Sequence, residues 1–452
     1  MLEWLPLPTD MAVAAQSSVG YLELFAFGIM LVAFLLATLL ARLPVGLALA
    51  ISAVAGAIAG GYLFPVDDLI RHLIDGSFGY LDPILKIATV TIFMFVIEAN
   101  GLLGTLTHQI LVTFRKRPVL LLAGCSILIM LPGAFTGSST ACVLTTGAML
   151  APVLMRLGIP RTKVGAILAM NAVFGMVAPP VNIPALIIAA GVDMPYIGLE
   201  LPLLLLTVPP ALITTWALGL PHLRSGAPSD VLEDLPPSLH ARHGLKLYLP
   251  LVLSIVMMVG ERYIHGPLHP GQPLIFLVCA LLGCVTGERV RLWSVSIRAL
   301  ESSMPILGIL LGVGMFIQVM TLVGARGELV IQAMQVPRGW TGLYPLIGLS
   351  LPAFGAVSSF GAASVLGVPF TLALGTASQV IILNVAVLSL LAGLGDLMPP
   401  TAKASIFAGQ VVGEPNYMRL LKYCVLPAFL TILICLLVLQ FGDKIAPFVV
   451  RI

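Results

Sequence analysis

A helix-breaking signature occurs twice in this chain at a constant offset of 220 residues, which points to a fold built from two copies of one unit. Leu131-Pro132, Ser138-Ser139 and Pro179-Pro180 correspond to Leu351-Pro352, Ser358-Ser359 and Pro399-Pro400. Single dipeptides recur elsewhere (Pro209-Pro210, Ser302-Ser303), so the shared order and spacing carry the inference. Corresponding breaks inside apolar stretches are the sequence pointer to a binding site between the repeats of a membrane carrier.

Composition sets the solvent. The 452 residues are 59% hydrophobic and 10% charged, whereas soluble proteins carry roughly a quarter charged residues. Such a chain cannot cover a water-facing surface, so it is a polytopic membrane protein. Its net charge of +3 is too small and scattered to suggest nucleic acid. Glu3 and Asp10 are the charges of the first 20 residues, so no cleavable signal peptide is expected, and the span from Leu22 to Ala41 serves as the insertion signal.

Apolar spans of the length needed to cross a core of about 30 Å as helix fall near 22–41, 43–63, 84–106, 198–220, 246–260, 272–287, 304–324 and 421–441. Broken segments occupy 118–192 and 340–412. The fold class expected is all-α, a membrane protein with two inverted repeats, each carrying a re-entrant helical hairpin and a Pro-Pro-broken transmembrane helix. Residues 1–21 form an N-terminal segment. Repeat 1 covers 22–220, with its hairpin at about 118–155 and its broken helix at about 162–192. A polar linker, 221–245, contains Arg224, Asp230, Glu233, Asp234 and Pro236-Pro237. Repeat 2 covers 246–441, with its hairpin at about 340–373 and its broken helix at about 380–412, and 442–452 is a tail. Segments 66–80 and 289–300 each place apolar residues on one face and charges elsewhere, as interfacial amphipathic helices do; an ordinary polar loop is the alternative.

The hairpins follow from helix length. From Ser139 to the charges Arg156, Arg161 and Lys163 is roughly 17 residues, or about 25 Å of helix, and the climb back to Pro179-Pro180 is similar. Both breaks therefore return to one depth. Arg115-Lys116-Arg117 opens the run ending at Leu131-Pro132-Gly133, so the simplest shape has Gly133 to Thr140 at its tip and both ends on one side. Irregular backbone at such depth lines a cavity or is buried in protein, and a tip with free carbonyls and hydroxyls can hold a dehydrated cation beside an anionic solute. The turns of repeat 1 carry six basic residues, whereas the windows 335–338 and 376–383 of repeat 2 carry Arg338 alone. The positive-inside rule then puts the two hairpin bases on opposite faces. A parallel repeat is the competing arrangement.

At these residues the sequence resembles the large membrane subunit of a tripartite ATP-independent periplasmic (TRAP) transporter, of the ion-transporter superfamily. The matching stretches begin PGAFTGSSTACVLTTGAML, continue to the first Pro-Pro break, and recur as GLGDLMPPTAKASIFAGQVVGEP near the second; LPVGLALAISAVAG also fits. The resemblance implies an elevator-type, sodium-driven importer of carboxylate solutes in a bacterial inner membrane. Its partners would be a small membrane subunit and a periplasmic solute-binding protein. No cofactor is implied beyond Na+ as coupling ion. The chain departs from the family pattern in its second hairpin, where 355–361 lacks the usual acidic residue; Asp396 is a substitute.

Gly137, Ser138, Ser139, Thr140, Ser358 and Ser359 offer small side chains and carbonyls to a cation, with Na+ expected at the four serines. The competing reading is that small residues let helices approach closely; the adjoining proline break in both halves favours binding. Pro179, Pro180, Pro399 and Pro400 shape the site. Asn182 and Thr401 follow the breaks and are placed to donate to a carboxylate. Lys403 is the sharpest candidate, because an unpaired ammonium in an apolar segment costs about 3 kcal/mol. It would neutralise a solute carboxylate, pair with Asp396, or snorkel to a surface. The six cysteines read as core packing, and His265 and His269 flank Pro267 without the carboxylate of a zinc motif. No catalytic pair or nucleotide-binding loop is recognisable, so the expectation is a secondary transporter rather than an enzyme. A stand-alone anion symporter or antiporter of the same superfamily is the alternative.

Overall fold

The computed structural model describes residues 9–63, 65–223, 238–261, 270–337, 339–375 and 378–450. The centre of the polar linker (224–237), the His265/His269 pair and Arg338 lie outside the described residues. Every regular element described is helical. The first half runs through α1 (Thr9–Leu35), α2 (Val45–Ala59), α3 (Val66–Phe78), α4 (Leu81–Ala99) and α5 (Leu102–Phe114). Its hairpin is α6 (Pro118–Thr136), α7 (Ser139–Cys142), a π-helical turn Val143–Gly147 and α8 (Ala148–Arg156). Then α9 (Arg161–Val177) and α10 (Ile183–Gly191) flank the first Pro-Pro pair, and α11 (Glu200–Gly219) follows.

The second half has α12 (His240–His243), α13 (Leu249–Glu261), α14 (Gly271–Thr286), α15 (Leu292–Leu322) and α16 (Ala325–Gln335). Its hairpin is α17 (Leu343–Gly355), α18 (Ser359–Ala362), a π-helical turn Ala363–Gly367 and α19 (Val368–Leu374). The chain continues through α20 (Ser378–Gly393), α21 (Lys403–Val412), α22 (Met418–Gln440) and α23 (Gly442–Val449). Eight of the described helices are long and apolar enough to span a membrane, nine if the bent pair α3–α4 counts as one.

The offset of 220 holds element by element from the hairpins onward. α7 and α18, the two π-helical turns, and the starts of α10 and α21 all fall in register. Two expectations need correction. Leu131-Pro132 and Leu351-Pro352 are not breaks: Pro132 and Pro352 lie inside α6 and α17. Thr136 Oγ1 donates to the Pro132 carbonyl at 2.7 Å, and the helix persists to Thr136. Residues 289–300 do not form a separate interfacial helix either, because α15 runs unbroken for 31 residues. In the first half, α3 and α4 are bent by 43° at Gly79-Tyr80. The corresponding pair is Ala299-Leu300, both good helix formers, which lets the second copy continue as one helix.

Two bodies result. The first packs α15 along α2, α3 and α4, with α14 on α4 and α1 on α2. The crossing of α2 and α15 is backbone on backbone: a Cβ on Gly46 would sit 2.3 Å from the Gly308 carbonyl oxygen, so only glycine fits there. The second body gathers α6, α11, α21 and α22 around α9, and α10 and α17 around α20. Its apolar run Val380–Leu397 is 94% buried. Aromatic rings meet between the bodies. Phe34 stacks on Phe354 with centroids 5.7 Å apart, and Phe135 of the second body packs against both Phe93 and Phe276 of the first.

Candidate functional site

Each hairpin tip is a helix start. Ser138 and Ser358 cap α7 and α18: the Ser138 hydroxyl accepts from the Ala141 N–H at 3.3 Å, and that of Ser358 from Gly361 at 3.1 Å. Capping occupies these two oxygens as acceptors, which leaves the second serine of each pair to face inward. Ser139 and Ser359 are both buried. Ser139 Oγ donates to Asp396 Oδ2 at 2.6 Å. The hydroxyl of Ser359 and the other carboxylate oxygen of Asp396 have no hydrogen-bond partner among the described residues. A buried carboxylate carrying one bond and one open oxygen is incompletely compensated, and a cation completes it.

The paired prolines lie against the tips. Pro179-Pro180 and Pro399-Pro400 are both cis. The next residue ties each loop to the tip of its own half: Val181 N–H donates to Ala134 O at 2.9 Å. In the second half Thr401 donates to Ala356 O through its N–H at 3.3 Å and its hydroxyl at 2.7 Å. Ser139–Asp396 and Asn182 Nδ2–Ser389 Oγ (2.8 Å) then join the two halves. The structure thus brings Ser138, Ser139, Ser358, Ser359, Asp396 and both Pro-Pro loops into one region. Lys403 makes no ion pair with Asp396, whose described partner is the serine of the other half.

The two half-helices beyond the prolines start differently. Asn182 is fully buried and caps α10, accepting from the Ala185 N–H at 3.0 Å, while its own N–H donates to the Tyr196 hydroxyl at 3.1 Å. Its polar groups are thereby engaged in the fold. The matching position in the second half is Ala402, with φ +38° and no side-chain cap. The first N–H groups of α21 therefore lack a capping side chain, which leaves a positive helix end. Lys403 is the first residue of that helix and half-buried. Thr401, Ser138, Thr140, Pro179 and Pro180 are also half-buried, Gly137 is buried, and Pro399 and Pro400 are exposed. Ser405, not singled out from the sequence, is fully buried with an unpartnered hydroxyl. Its signal was available: a hydroxyl two residues after Lys403, on the helix that follows a break.

Chemically, Asp396 and the serines supply hard oxygen ligands of the kind that suit alkali and alkaline-earth cations. The uncapped start of α21 with its lysine suits an anion. A polytopic helical fold with a buried polar region of this sort defines a membrane transporter. The crystal structure of the Alcanivorax borkumensis YdaH transporter shares the fold, with a TM-score of 0.57 at 14% identity over 83% of this chain and 89% of that one. No curated protein matches the chain. The chain belongs to the family described as "Tripartite ATP-independent periplasmic transporter, DctM component", whose model matches residues 29–442. It is a multi-pass transporter permease of a system that works with a periplasmic binding protein, and not an enzyme.

Proposed function

We propose that this chain is the large permease subunit of a sodium-coupled importer, in a bacterial inner membrane, of a carboxylate solute delivered by the periplasmic binding protein. A small membrane subunit completes the assembly. The observation that carries the reading is the buried Ser139–Asp396 pair with one open carboxylate oxygen, set beside a half-helix whose start is uncapped and carries Lys403. Sodium binds at the serine tips and Asp396, and the solute carboxylate approaches the start of α21 and Lys403, the donors of Thr401 being spent on Ala356 O. The second body then moves past the first as an elevator, the aromatic contacts between them allowing it to slide.

Contacts at the ends of α11 and α22 support inverted repeats. The base of the first hairpin lies at the end of α11: Trp216 Nε1 donates to Val119 O at 3.0 Å, and Lys163 Nζ is 2.8 Å from His222 Nε2. Lys163 also lies over the ring of Tyr423, near the start of α22. The base of the second hairpin lies instead at the end of α22, where Tyr344 donates to Leu439 O. Helices α11 and α22 therefore run in opposite senses, as alternating access about a central site requires. With Arg115, Lys116, Arg117, Arg156 and Arg161 at the first base, that face is cytoplasmic.

The test is sodium-driven uptake, into vesicles, of the carboxylate that the cognate binding protein retains. Omitting either partner protein is expected to abolish it; persistent solute-specific uptake by the chain alone would make it a stand-alone symporter. Lys403→Met is expected to raise the solute KM about 10- to 150-fold, the range for a hydrogen bond to a charged group, with sodium activation unchanged. An unchanged KM would leave Lys403 as a snorkelling side chain.

A further inference from the structure

Three polar ties cross from the first body and the connecting helix α16 to the second body, and all three land on α10 or the loop after it. Tyr80, buried at the bend between α3 and α4, donates its hydroxyl to the Ile187 carbonyl at 3.0 Å. Arg326, on the first turn of α16, donates to the Gly191 carbonyl at 2.5 Å. Lys86, itself paired with Asp82 at 2.7 Å, sits 5.8 Å from the centroid of the Tyr196 ring.

The ends of α10 and α21 are both closed by their own chain: the N–H groups of Asp193 and Met194 donate to Ala190 O and Ala189 O at 3.3 and 2.9 Å. Gly413 takes the left-handed conformation, and the N–H groups of Gly413 and Glu414 donate to Gln410 O and Gly409 O at 3.2 and 2.8 Å. The Gly191 carbonyl accepts in addition a guanidinium from outside the body, and this tie has no counterpart, since Arg326 corresponds to Leu106 at the 220 offset. Nor does the tyrosine have a twin: at the 220 offset Tyr80 becomes Leu300, inside the unbroken α15. The device exists in one half alone, whereas sliding aromatic contacts occur in both.

We propose that Tyr80 and Arg326 form a latch that holds the second body against the first in the end-state seen here, a reading that rests on elevator movement. Aromatic faces can trade partners at similar energy, but two hydrogen bonds to fixed carbonyls cannot follow a moving helix and must break. The latch also touches the site. Tyr196, which meets Lys86, accepts the backbone N–H of Asn182, and Asn182 caps α10 directly behind Pro179-Pro180. Rearrangement at the first Pro-Pro loop therefore bears on the carbonyls that the latch grips.

Pulsed EPR distances between spin labels at Ile127 of the second body and Ile297 of the first, both exposed, test this in the full chain in lipid nanodiscs. Spectra are taken in potassium chloride and in sodium chloride. The wild type is expected to favour one distance. Tyr80→Phe and Arg326→Gln should each shift the population ratio toward a second distance by about fivefold, the net worth of one hydrogen bond, and Arg326→Lys should retain the wild-type ratio. Distances that respond to sodium but are unchanged in both variants would overturn the latch, as would a lowered melting temperature with no change in distance. One invariant distance in every protein and both salts would overturn the elevator reading itself.

Discussion

Asp396→Asn is expected to remove sodium activation almost completely, weakening apparent sodium affinity by about 10- to 150-fold, which corresponds to losing about 1.5–3 kcal/mol of bonding to a charged group. The substitution preserves shape and the capacity to accept from Ser139, so what it deletes is charge. Its sign on stability is the more telling outcome. In potassium or choline salts the variant should melt at or above the wild-type temperature, because an incompletely paired buried carboxylate has been neutralised. In sodium salts the wild type should gain stability with concentration by mass action, and the variant should not. Ser139→Ala, which removes one neutral oxygen, should act in the same direction with a smaller effect, and Ser359→Ala reports on the second tip separately. A full sodium-dependent rise in melting temperature in Asp396→Asn would remove this carboxylate from the cation site.

The parts of the architecture legible in the sequence were those encoded by spacing. The offset of 220 located both hairpins, both Pro-Pro loops and the half-helices after them, because each break is a local event written in Gly, Ser and Pro. Partner choice was less legible. Asp396 lies seven residues before Lys403, close enough to suggest a local pair, yet its described bond is to Ser139, 257 positions away. Nothing in linear spacing distinguishes these, since the choice depends on how two copies of a motif interlock. Proline was over-read for the opposite reason: Pro132 and Pro352 looked like ends, but tight packing inside the second body keeps the helix continuous around them. The inequality of the half-helices is also written in the sequence. Asn182 in one copy stands against Ala402 in the other at the same register, which already announces one capped and one uncapped end.

Gly395→Val is expected to give the largest structural effect of any single substitution near the site. Its backbone lies against that of Gly355 at the end of α17: a Cβ on Gly395 would fall 2.1 Å from the Gly355 carbonyl carbon. No rotamer relieves this, since the obstructing atoms are main chain on an element that is itself buried, so the second tip and the loop of Pro399-Pro400 must separate. Overpacking of this kind costs about 1–3 kcal/mol, and occasionally more. Here it also displaces Thr401 from Ala356 and moves Asp396, its immediate neighbour, away from Ser139. Transport should therefore fall to background even in molecules that remain folded, with sodium-dependent stabilisation lost as well. Gly175→Val provides the matched test in the first half, because its Cβ would lie 2.7 Å from the Met130 carbonyl oxygen. Gly28→Val is the control, having nothing within 4 Å of the added carbon; it should retain wild-type melting and uptake. If Gly395→Val kept both, the close approach of the second tip to the Pro-Pro loop could not be what organises the site. The pairing of Ser139 with Asp396 would then have to survive independently of the loop that carries Asp396.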